Sequence, residues 1–364
     1  MRSSSRAGLR HGLVAVALAT SAVVLLGACS SGETDSGGGE TVPVDVGLDE
    51  PLQLPTGPLN VGVFMNDTTN AWQEAMVQAA TASAEEYGWT VEIVSGGYDV
   101  QKQMNQVQTA AAQGKYDAIL AVPIDGALEC NAFSKILPEA GVLVTVGAQQ
   151  LCGKSMASGD ELWQSGTLNF VGGTGTTADY VRAWLAEAVE RNPGPQRVAY
   201  VVGPQLLTAQ QVIEEVAMNE FQPENPDFDI QDFIYTDYTT PDSYQATLDY
   251  LSAHPDTTVI LSTYSPDMTR GVIQAVEAAG MTGRVKVVDS GGAQYSLDEI
   301  TAGNVEFTSP LFPAVMAEKM MASIKDAQDG TTSPRFVSDI PEELGTGDVY
   351  IVDSTNVDSF TPQF

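Results

Sequence analysis

Beyond residue 58 the chain alternates between two kinds of apolar pattern. Short β-branched runs occur at 59–65, 90–94, 117–122, 142–146, 168–171, 197–202, 229–235, 258–262, 285–289 and 305–309. Each is bounded by Gly, Pro or polar residues and has the length of a buried strand. Between them lie segments with apolar residues at helical spacing: 70–87, 100–113, 127–137, 176–191, 209–221, 243–253, 268–279 and 312–327. Gly88, Gly114 and Gly280 stand where the first, second and seventh of these end, the usual place for a left-handed cap. Strand and helix alternating in such short units predict parallel sheets covered by helices on both faces. The alternation breaks over 149–167 and then restarts. The predicted fold is α/β, with two doubly wound, Rossmann-like parallel-sheet lobes joined by a hinge. In such sheets ligands bind beyond the carboxyl ends of the strands, and two facing lobes form a cleft that can close.

The first 28 residues have a different pattern. Arg2, Arg6 and Arg10 precede an uncharged apolar run from Leu13 to Leu26. The run is shorter than the ~20 residues a spanning helix needs, so 1–28 reads as a signal peptide. It ends in Leu26-Gly27-Ala28-Cys29, which resembles a bacterial lipobox. Small residues at 27 and 28 admit a peptidase, and the Cys29 thiol is the atom that accepts lipid. A membrane anchor through Cys29 on the outer face is therefore expected. Residues 29–58, rich in Ser, Gly, Thr, Pro and acid, read as a flexible tether without a fold.

Composition narrows the function. The 364-residue chain has 47 Asp plus Glu against 16 Lys plus Arg, a net charge of -31. Such a surface repels phosphate backbones and anionic headgroups, which argues against nucleic-acid binding. Once Cys29 is lipidated, Cys130 and Cys152 remain. In an oxidising compartment they pair as a disulfide, the alternatives being two buried thiols or a metal pair. Metal binding is disfavoured because the mature chain keeps only His254. No nucleophile elbow, P-loop or histidine metal pattern is present. The chain is read as a binding protein rather than an enzyme, with no cofactor; a hydrolase using paired acids is the weaker alternative.

Several stretches together resemble the type I periplasmic binding proteins of the ribose/galactose group that serve ABC importers. They are Asn66-Asp67-Thr68-Thr69-Asn70-Ala71-Trp72 after the first strand, Gln101 to Gln113, Asp117 to Pro123, and Ser265-Pro266-Asp267-Met268. The resemblance spans 59–340. It implies a first lobe of 59–170 plus 312–340 and a second of 171–311 plus 341–364, with three hinge crossings. It also implies a monomer that binds a small solute and hands it to permease subunits; a receptor for a sensor or chemotaxis system is the alternative. Candidate ligand residues are Asn66, Asn70, Trp72, Gln149, Gln150, Tyr238, Tyr264, Ser265 and Asp289. Each has a second reading: core packing with Met76 for Trp72, a helix cap for Asn70, a turn cap for Asp289, and loop polarity for the glutamines. The group's Asp-Arg pair after the fourth strand is replaced here by Gly147-Ala148, and its last-hinge Gln by Leu311, so ordinary sugar recognition is not implied.

Overall fold

The computed structural model describes residues 40–364; the signal segment, Cys29 and the tether up to residue 39 lie outside the described residues. The described chain opens on an antiparallel hairpin, β1 (Thr41–Val44) and β2 (Leu52–Pro55). The strands that follow are β3 (Asn60–Met65), β4 (Thr90–Ser95), β5 (Ala118–Ala121), β6 (Leu143–Gly147) and β7 (Phe170–Gly172). After them come β8 (Gln196–Val202), β9 (Phe228–Tyr235), β10 (Val259–Thr263), β11 (Lys286–Gly291) and β12 (Phe307–Pro310). Two short strands, β13 (Phe336–Ser338) and β14 (Val352–Asp353), complete the set.

They build two six-stranded sheets of one plan, ordered β13-β7-β6-β5-β3-β4 and β14-β12-β11-β10-β8-β9. All pairings in these sheets are parallel except β12 with β14. The central strands β5, β6 and β10 are buried along their whole length, as expected where helices cover both faces. In each sheet the strand order turns around at the lobe's first strand, β3 or β8, and that turning point opens a crevice past the strand ends. The chain passes between the sheets three times: after β7, after β12 and after β13. The helix Pro313–Gln328 returns to the first lobe, where Met316, Met320, Met321 and Ile324 join the core formed by β3, β5 and the helix Ala71–Tyr87.

One sequence-based expectation is corrected. Residues 40–57 carry a fold. Val44, Val46, Leu52 and Leu54 are buried in the first lobe's core, and Gln328 Nε2 donates to the carbonyls of Pro55 and Gly57. Arg335 pairs with Asp45 at 2.8 Å and stacks on the Trp163 ring. The composition of a linker masks a period-two apolar pattern that is enough to dock a strap on the lobe.

Candidate functional site

A cavity of about 80 Å³ lies between the lobes, several times the ~10–15 Å³ that one water needs. Its walls come from segments past the carboxyl ends of strands in both sheets. Asn66 follows β3, Tyr98 follows β4, Ala148 and Gln149 follow β6, and Thr174 and Thr176 follow β7. From the second lobe, Leu207 and Ala209 follow β8, Tyr238 follows β9, Tyr264 and Ser265 follow β10, and Leu311 follows β12. Asn70, Trp72 and Gln73 enter from the start of the helix Ala71–Tyr87.

Local chemistry places these side chains. Asn70 caps its helix: its Oδ1 accepts from Gln73 N at 3.0 Å, and Gln73 Oε1 accepts from Asn70 N at 3.2 Å. This is a reciprocal capping box. Asn66 Oδ1 accepts from Asp67 N at 2.8 Å and Gln73 Nε2 at 3.0 Å. Its amide nitrogen then has no acceptor among the described residues. The Gln149 side chain is buried, and its Oε1 has no donor. A buried polar atom left unpaired, as this amide oxygen is, is costly, so a cavity wall holding it is suited to a hydrogen-bonding guest. Ser265 Oγ is already engaged, donating to Tyr238 O in the loop after β9 at 3.1 Å and accepting from Met268 N in its own helix start. The Tyr264 hydroxyl donates to Gly175 O, joining the second lobe to the first crossing segment. Trp72 is half-buried and packs against the cores of both lobes.

Backbone strain concentrates here. Tyr98, Ala148, Tyr238 and Tyr264 have φ of 53°, 62°, 66° and 67°. Bulky residues rarely adopt the left-handed region, and such strain gathers at functional sites. The cavity wall contains no Asp, Glu, Lys, Arg or His. Burial pushes the Tyr98 phenol up to about 12, with nearby Asp67 adding to the effect, and burial raises Tyr238 and Tyr264 as well. Among the described residues no group of three His, Cys, Asp or Glu side chains is placed to hold a metal ion.

The structure therefore gathers Asn66, Asn70, Trp72, Gln149, Tyr238, Tyr264 and Ser265 on one wall system, and it corrects two other assignments. Asp289 is fully buried away from the cavity. It accepts from Thr269 Oγ1 and Thr308 Oγ1, each at 2.5 Å, and ties β11 to β12 and a covering helix. Gln150 is not part of the wall; it stands behind it, donating through Nε2 to Thr176 O at 2.9 Å. Sequence reasoning missed Gln73, Tyr98, Thr174, Thr176, Leu207 and Ala209. Tyr98 was within its reach, because it follows Gly96-Gly97 at a strand's carboxyl end. Cys130 and Cys152 form a disulfide beside the cleft.

A two-lobed protein with one cleft at the carboxyl ends of both sheets is a solute binder in architecture. A sequence model of the periplasmic binding protein domain matches residues 61–332, and the chain belongs to that family. The family consists of solute-binding proteins rather than enzymes and places the folded part outside the cytoplasm. No curated protein matches the chain by sequence. Among solved structures, the Caulobacter myo-inositol binding protein bound to myo-inositol superposes with a TM-score of 0.67 at 22% identity, over 82% of this chain and 95% of that one. An ABC transporter solute binding protein from Mycobacterium smegmatis with bound glycerol gives 0.69 at 21% identity, over 85% and 99%. One from Bacillus halodurans C-125 with bound myo-inositol gives 0.71 at 16% identity, over 85% and 99%. At these identities the likeness is one of fold.

Proposed function

We propose that this chain captures a small polar solute, of the sugar or polyol kind, between its lobes and delivers it to the permease of an ABC-type importer. The mature chain is held at the outer face of the cell membrane by lipid on Cys29 and works as a monomer. The observation that carries this reading is the cavity itself: it is shared by both lobes, and the amide oxygen of Gln149 stands on its wall buried and without a donor. Neighbours of the same fold hold myo-inositol and glycerol, which supports the solute class. A guest touching both walls favours the closed arrangement over the open one, and that population shift is the signal a permease can read.

A melting-shift screen across sugars, polyols, nucleosides, amines and acids tests capture. At least one small polar solute should raise the melting temperature, and a flat response throughout would remove the reading. The anchor is tested separately: Cys29→Ser should release the protein from membranes, and its retention in the membrane fraction contradicts lipidation.

A further inference from the structure

Each lobe carries the same pair of side chains at the same place. In the first lobe the third residue of the helix Ala71–Tyr87 is Gln73, and its Nε2 donates to the Tyr98 hydroxyl at 2.9 Å. In the second lobe the third residue of the helix Thr208–Glu215 is Gln210, and its Nε2 donates to the Tyr238 hydroxyl at 2.9 Å. Tyr98 stands three residues past the end of β4, and Tyr238 stands three residues past the end of β9. Each of those strands is the sheet edge beside its lobe's first strand. Both tyrosines have left-handed backbones, and both line the cavity.

The orientation of each amide is settled by its other end. Gln73 Oε1 accepts from Thr69 N at 2.9 Å and Asn70 N at 3.2 Å. Gln210 Oε1 accepts from Gly203 N at 3.3 Å. Each glutamine therefore turns its nitrogen to the phenol, and each phenolic oxygen is an acceptor in that bond. A phenol has one hydrogen of its own to give, and among the described residues neither hydrogen has an acceptor. Both groups stay protonated at neutral pH, because burial raises them. The Tyr238 ring is also fixed in place: it lies so close over Gly203 that a Cβ there would sit 2.0 Å from Cζ.

Two matched donors thus face one uncharged cavity from opposite lobes. We propose that Tyr98 and Tyr238 are paired ligand donors and that the solute is an uncharged molecule offering an oxygen acceptor to each lobe: a neutral polyol, cyclic ether or carbonyl compound. Amines, quaternary ammonium ions and carboxylates are rejected, because no charged side chain lines this wall to meet a buried charge and the carboxylate near Tyr98, Asp67, stands outside it and already accepts from Thr69 and Ser95. This inference rests on the cleft being the solute site.

The test uses the full chain and two matched sets of probes. The neutral set is myo-inositol, glycerol, erythritol, D-ribose, D-allose and D-glucose. The charged set is D-glucosamine, D-glucuronate and choline. A neutral probe should give the largest melting shift and the charged set none. For that probe, Tyr98→Phe and Tyr238→Phe should each weaken calorimetric affinity about tenfold, and the double variant about a hundredfold. A largest shift from a charged probe overturns the proposal, as does a double variant that binds the neutral probe as tightly as the parent. Both of those results leave solute capture standing, whereas no shift from any probe removes both readings. Should a Phe variant fail to fold, the neutral-against-charged comparison on the parent chain decides alone.

Discussion

The backbone amide of Gly126 donates to Thr208 Oγ1 at 3.2 Å, so a loop of the first lobe is fastened to the first residue of a helix in the second. The loop is shaped in advance. Cys152 N donates to Gly126 O at 2.8 Å, the Cys130–Cys152 disulfide brackets it, and Glu129 accepts from Ile124 N and Asp125 N. Only glycine fits at 126, since a Cβ would lie 1.7 Å from the Gln150 carbonyl oxygen. A rigid rim meeting a helix start gives the closed cleft a fixed stop.

Thr208→Val removes the acceptor while keeping the shape. Loss of one hydrogen bond of this kind is worth ~0.5–1.5 kcal/mol, so affinity for the solute should fall about threefold to tenfold, seen mainly as faster release. Stopped-flow dissociation measures this, and an unchanged off-rate would show that the rim bond does not hold the closed state.

Trp72 sits half-buried against both cores. Trp72→Ala should cost about 1–3 kcal/mol of stability, less than the ~3–5 of a fully buried aromatic, and should weaken solute binding at least about tenfold. Urea melts and calorimetry on one preparation separate the two effects. Unchanged affinity would make Trp72 a packing residue alone.

Glu129 is fully buried, with one carboxylate oxygen unpaired. Burial pushes its carboxyl up to about 7; the backbone donors at 125 and 124 pull it down in part, and Asp125 adds to the rise. The folded state holds this proton more tightly than the unfolded chain, whose glutamate titrates near the ordinary value of 4.5. The contribution to stability is therefore full below about pH 4.5 and is lost as pH climbs through 7. Glu129→Gln should flatten the pH dependence of the melting temperature between 4.5 and 8 relative to the parent. Parallel curves for the two proteins would show that Glu129 titrates normally.

Leu54, in the hairpin strand β2, is fully buried against the core of the first lobe. Leu54→Ala should cost about 2–4 kcal/mol, lowering the urea midpoint, whereas the same change in a free tether would cost nothing.

Most of the architecture was legible along the chain, because strand and helix periods are local. Val259–Thr263 reads as a buried strand from its own residues, and Ala71–Tyr87 as a helix from its spacing and Gly88. The hairpin escaped notice, since its few apolar positions lie among Pro, Gly and acid. The strands β13 and β14 are too short to show a period, and they exist because an edge of each sheet was free to pair.

The candidate site was legible only in part, for a directional reason. Polar residues lie at or just past the ends of many strands in both lobes, and sequence alone does not say which way each side chain turns. Asp289 lies within strand β11, near its end, and Tyr98 past the end of β4, yet Asp289 turns inward to Thr269 and Thr308 while Tyr98 faces the cleft on a left-handed backbone. Periodicity along the chain suffices to specify two α/β lobes and the ends at which a guest must bind. The chemistry of the cavity wall, uncharged and carrying a matched tyrosine from each lobe, was settled when segments distant in sequence packed together, because packing alone sets where a loop side chain points.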